Sequence, residues 1–135
     1  MTLRRTAGVL ALAVALVVGL QSPAAAATAT ISANNGYATA TFTYPTGPDA
    51  EWGTLRVCDT VKDGRRAVAQ LSWENNNGAW SVVARVEDAN GANGQCVSTS
   101  AYRFYGYRMK LVLWVQDGTG YVREEYPVQT IKWVS

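Results

Sequence analysis

Any chemistry in this chain has to come from carboxylates. The sequence has no histidine, so no Ser-His or Cys-His nucleophile pair can be assembled. A zinc site made from its two cysteines would lack the imidazole that usually completes it. No Gly-rich phosphate loop follows a strand, and no β/α alternation exists to carry one. The acids are Asp49, Glu51, Asp59, Asp63, Glu74, Glu87, Asp88, Asp117, Glu124 and Glu125. A glycosidase-type site needs two of them facing each other across a bond. Nearly all lie instead in turn-forming stretches or at outward strand positions, where they serve turns and solubility. Glu124 and Glu125 are adjacent on an extended segment and point to opposite faces. Asp88, Asn90 and Asn93 carry oxygens of the kind calcium takes, but without the 1-3-5 spacing and bidentate glutamate of an EF-hand. Such an Asx-Gly loop reads as a chain reversal. We expect no enzyme activity, no cofactor and no bound metal.

The features that suggest binding are aromatic. All the tryptophans, tyrosines and phenylalanines lie beyond residue 27. A small β-domain uses many of them as core. The segment Tyr102, Arg103, Phe104, Tyr105, Gly106, Tyr107, Arg108 exceeds that need, because its rings and arginines occupy both faces of any strand. Tyr and Arg dominate protein-binding hot spots, and Tyr-rich segments make rigid yet adaptable contacts. Trp114 shares a strand face with Arg108, Lys110 and Val112, which extends the patch. We therefore expect binding through Tyr102, Arg103, Phe104, Tyr105, Tyr107, Arg108 and Trp114. Tyr and Trp rings also stack on sugars, so a carbohydrate-binding or lectin-like module is the alternative.

The elements that must position these residues are short strands separated by polar turns about every ten residues, an all-β signature. Strands are expected at 29–33, 37–44, 53–60, 65–73, 80–87, 96–100, 109–115, 121–126 and, as an edge, 129–134. In the second, Ala38, Ala40, Phe42 and Tyr44 alternate with Tyr37, Thr39, Thr41 and Thr43, which puts the first set on the core. In the fourth, Ala67, Ala69, Leu71 and Trp73 should face in, and Arg66, Val68, Gln70 and Ser72 out. In the fifth, Trp80, Val82, Ala84 and Val86 should face in, and Ser81, Val83, Arg85 and Glu87 out. The segment 109–115 is the most apolar and should be central, covered on both sides. The Ala/Thr-rich stretch 28–44 offers little to bury and suits a sheet edge. Eight or so antiparallel strands make a β-sandwich or small barrel.

Residues 1–27 have the three parts of a secretory signal: Arg4 and Arg5, an uncharged apolar run at 10–20, and small residues at 24–27 after Pro23. The run is shorter than the roughly 20 residues that span a bilayer. A single domain at 28–135, secreted and extracellular, is the expected product. Loss of Arg4 and Arg5 takes Lys+Arg from 12 to 10, equal to the 10 Asp+Glu. A neutral domain with no basic run lacks the driving term for nucleic acid or a membrane surface. In an exported chain the only two cysteines, Cys58 and Cys96, are expected to form a disulfide. Trp73 lies between them, but a separation of 38 residues is short and Gly94, not tyrosine, stands two before the second cysteine, which does not fit an immunoglobulin domain. The disulfide should tie the third strand to the long loop or to the sixth.

The stretches LRVCDTVKDGRRAVAQLSW and LVLWVQDG, behind an Ala-rich signal and in a domain near a hundred residues, resemble the small secreted β-domain proteins of actinobacteria. In outline the chain is similar to the adaptor subunit of their umbrella-shaped toxin particles, which joins a lectin subunit to a large repeat-containing toxin. The resemblance implies a non-catalytic subunit of a secreted complex and assigns no residues. Residues and resemblance lead to one expectation: a domain that binds another secreted protein, as adaptor or inhibitor.

Overall fold

A computed structural model describes residues 25–33, 36–47, 52–116 and the backbone of 129–132. It has eight strands and, among these residues, no helix. They are β1 (Ala26–Ser32), β2 (Ala38–Pro45), β3 (Trp52–Asp59), β4 (Arg66–Glu74), β5 (Trp80–Asp88), β6 (Val97–Tyr102), β7 (Arg108–Gln116) and β8 (Gln129–Lys132). The first sheet runs β1-β2-β3-β6 and the second β5-β4-β7-β8, every pair antiparallel. The fold is a β-sandwich. The expected strand at 121–126 lies outside the described residues, as do Asp49, Glu51, Asp117, Glu124 and Glu125.

Period-2 alternation builds the core from both sheets. Ala38, Ala40 and Phe42 of β2 and Leu55 and Val57 of β3 meet Ala67, Ala69 and Leu71 of β4 and Met109, Leu111 and Leu113 of β7, all buried. The chain passes from β3 to β4 and again from β6 to β7, crossing each time between sheets, with β6 beside β3 and β7 beside β4. That interlocking aligns the two layers. Gly53 is required by close approach: a Cβ there would lie 2.4 Å from the Thr43 carbonyl oxygen and 2.8 Å from the Phe42 ring. β1 is an edge strand, as the Ala/Thr composition of 28–44 suggests, but β2 from the same stretch lies between β1 and β3 with Ala38, Ala40 and Phe42 buried. β1 begins at Ala26, so a cut after Ala27 leaves residues 28–32 paired with 39–43.

β7 is central, and Leu111, Val112, Leu113, Trp114 and Val115 are buried in succession. The β4–β5 ladder departs from strict alternation. Leu71 pairs with Ala84 but Ser72 with Val82, so Val83 is an extra residue in a β-bulge. Val86 and Ala84 face the core as expected, and Val83 joins them against it. Beyond the bulge the facing reverses. Trp80 and Val82, expected inside, sit on the outer face opposite Glu74 and Ser72. Val68 and Ser72 do occupy outward positions but are buried there; Trp114 lies across from Val68 and covers it.

Candidate functional site

The disulfide and a buried acid pair form one end of the sandwich. Val57 pairs with Val97, and the register carried one step further sets Cys58 opposite Cys96. Their sulfurs are bonded, with the Cα atoms 4.3 Å apart. The bond joins neighbours in one sheet and does not pin the two sheets together as in an immunoglobulin domain. The next residue, Asp59, donates its N–H to Asp88 Oδ2 at 3.0 Å, which links β3 to β5 across the sandwich. Asp88 Oδ1 accepts from the Asn90 N–H at 3.3 Å, and Asn93 Oδ1 from the Gln95 N–H at 2.8 Å. The loop after Asp88 thus spends its oxygens on its own turns. Among the described residues no three His, Cys, Asp or Glu are grouped to hold a metal.

Asp59 is buried. Its Oδ1 accepts from the Val61 N–H at 3.0 Å, while its Oδ2 has no hydrogen-bond partner among the described residues. Burial pushes its carboxyl above the ordinary 3.8. The Val61 N–H opposes that rise, and the charges of Asp63 and Asp88 add to it. A carboxyl whose folded pKa is raised contributes stability that is fully present below the unfolded pKa and lost as pH rises through the folded one. Asp59→Asn keeps the Val61 contact and removes the buried charge. It should melt higher than wild type at pH 7 and with wild type near pH 3.5, measured by calorimetry. A difference that did not change with pH would contradict this assignment.

The segment expected to be one patch divides into two groups. Trp52, Tyr102, Phe104, Trp73 and Tyr107 form a chain of ring contacts around the opposite end. Trp52 meets Tyr102 edge-on at 5.3 Å, and Tyr102 meets Phe104 at 4.9 Å. Phe104 stacks on Trp73 at 4.3 Å and 8°, and Tyr107 meets Trp73 edge-on at 5.0 Å. Phe104 and Trp73 pack against the core. Only 3% of Arg103 is exposed; its guanidinium donates to the Pro45 carbonyl, and to that of Gly47 at 3.2 Å. It lies over the rings of Tyr44 and Tyr105 at 5.9 and 5.0 Å. Arg103 therefore ties the end of β2 to the turn after β6 and is a positioning residue, not a contact. Tyr105 is exposed at the tip of that turn.

Arg108 and Trp114 belong to the second group, the outer face of the β5-β4-β7 sheet. Arg108 Nη1 pairs with Glu74 Oε2 at 2.7 Å, and Arg66 Nη1 with Glu87 Oε1 at 2.7 Å. The Arg108 guanidinium lies 5.8 Å from the Trp80 ring centre and the Lys110 ammonium 4.6 Å from it. Arg85 covers Trp114 at 5.0 Å. Val82 is 60% exposed beside them, and Val68, Val112 and Trp114 make a small apolar cluster beneath. The strand-face grouping of Arg108, Lys110, Val112 and Trp114 was readable from alternation. Arg85 joins it as alternation in β5 predicts, and Trp80 and Val82 join it through the bulge.

No protein-family model and no curated sequence matches the chain. A solved structure with a similar fold is described as an endonuclease/exonuclease/phosphatase from Beutenbergia cavernae DSM 12333. It is 19% identical, with a TM-score of 0.50 over 78% of this chain. The chain spans 26% of that protein's length, and at this identity the likeness shows the fold alone.

Proposed function

We propose that this is a non-catalytic, secreted protein-binding domain, an adaptor subunit or inhibitor, that docks through the outer face of the β5-β4-β7 sheet. The observation that carries the reading is the position of Trp80 and Val82. The solvent face of an antiparallel sheet is normally polar, yet here an indole and a 60% exposed valine stand together, with arginines beside them. Trp and Arg are the residues enriched in interface hot spots. The disulfide agrees with an oxidising, extracellular setting. Of the described acids, Glu74 and Glu87 are paired with arginines, Asp63 contacts Arg65, and Asp59 and Asp88 are buried against backbone.

The test is affinity capture from native culture supernatant with tagged domain and a Trp80→Ala, Arg108→Ala double variant. Stoichiometric partners should be retained by wild type and reduced at least tenfold with the variant, the cost of one hot-spot contact. Equal capture by both would remove this face from the account. One observation favours a carbohydrate instead. Trp52 is 64% exposed at the rim of the first sheet, beside Tyr102 and the hydroxyls of Thr54 and Ser100. Retention on a glycan array that is lost in Trp52→Ala would support that second reading.

A further inference from the structure

Resting on the protein-binding reading, we infer that the surface docking on this face is acidic, with carboxylates placed to meet Arg85 and Lys110. Among the described side chains the face holds four cations by register and contact, Arg66, Arg85, Arg108 and Lys110, against two carboxylates, Glu74 and Glu87. Arg66 and Arg108 are matched to Glu87 and Glu74 at 2.7 Å. Arg85 and Lys110 have no ion-pair partner among the described residues. Each is held over an indole, Arg85 over Trp114 and Lys110 over Trp80.

A cation resting on a ring keeps its charge and gives up part of its hydration and rotamer freedom. Such a group is pre-organised for a carboxylate, because part of the ordering cost is already met. The two are set apart in a defined way. Arg85 lies opposite Gln70 on β5 and Lys110 opposite Ser72 on β7, with β4 between them. Two inter-strand steps and one two-residue step put their Cα atoms about 12 Å apart. Val82 and Trp80 lie on the same face, beyond the bulge. The complementary surface therefore carries two carboxylates, one for each of these cations, beside an apolar side chain. Charge complementarity of this kind acts mainly on association rate and choice of partner.

The experiment is capture from native culture supernatant, followed by association kinetics of the captured protein. It compares wild type, Arg85→Glu/Lys110→Glu, Lys110→Ala and, as a control on the other sheet, Arg56→Glu. Binding is read at 50 and 500 mM salt, and parallel arms use an alginate resin and a neutral dextran resin. Circular dichroism and melting temperature establish that each variant is folded, and Lys110→Ala alone carries the test if the double reversal is not. The inference expects at least a tenfold loss of association rate in the reversal variant and severalfold in Lys110→Ala. It expects a comparable loss for wild type at high salt and no change for Arg56→Glu. A partner captured equally by the reversal variant and at both salts would overturn the acidic surface and leave the protein-binding reading standing. No captured protein, with retention on alginate that the reversal abolishes, would overturn both in favour of an anionic glycan. No capture and no retention would overturn both outright.

Discussion

Replacing Cys58 and Cys96 by serine is expected to lower stability by about 4 kcal/mol, the chain-entropy value for closing a loop of 38 residues. The loop is not peripheral. Between the two cysteines lie β4 and β5, half of the second sheet, so the cross-link limits how far that half can depart from β3 and β6 in the unfolded chain. Urea unfolding of the oxidised protein and the double serine variant gives the difference directly. The variant should also unfold with a larger m-value, because an uncrosslinked denatured chain exposes more surface. A loss under about 1 kcal/mol would mean that the β3–β6 ladder holds this end by itself.

Asp88→Ala should have the next largest effect, about 3 kcal/mol, measured in the same way. Asp88 is fully buried, and its two oxygens accept from the N–H groups of Asp59 and Asn90. Truncation leaves a buried donor at the junction of the two sheets and an unfilled space beside it. Asp88→Asn, which retains one acceptor oxygen, should cost less than half as much. Equal losses in the two variants would show that the carboxylate's charge, and not its acceptor geometry, holds the junction.

The disulfide and Asp88 show what was legible in the sequence and what was not. The cysteines were readable as a pair because the expected export and their number favour a disulfide, whereas the pairing of β3 with β6 that sets them opposite one another was not readable. Asp88 was not readable as a structural residue. It stands among turn formers in DANGANGQ, and composition cannot distinguish a solvated turn acid from one aimed inward at a neighbouring strand. The alternation in β2 translated directly into facing, through its period of two, and the continuous apolar run in β7 into burial on both faces. β5 did not translate as a whole. One extra residue at the bulge turned Trp80 and Val82 outward, and nothing local distinguishes a bulged Val-Val pair from a strand buried on both faces.

The candidate site divides on the same physical grounds. Alternation placed Arg108, Lys110, Val112 and Trp114 together, and the structure keeps them together on one face. The run 102–108 has no such rule to apply, because it is a strand end followed by a turn. Whether Arg103 faces a partner or its own chain depends on where the Pro45 and Gly47 carbonyls fall. Those belong to a segment more than fifty residues away, and no local pattern in 102–108 points to them.

The most direct test of the account asks which face is covered when the domain is in its native assembly. Oxidative footprinting of the tryptophans, read by mass spectrometry in the free domain and in the complex captured from supernatant, reports on both faces at once. Trp80 stands on the outer face of the second sheet and Trp52 on the rim of the first. Trp80 is expected to be protected in the complex, while Trp52, 64% exposed in the free chain, labels as before. Protection of Trp52 with unchanged labelling of Trp80 would contradict that expectation and move the functional surface to the other sheet.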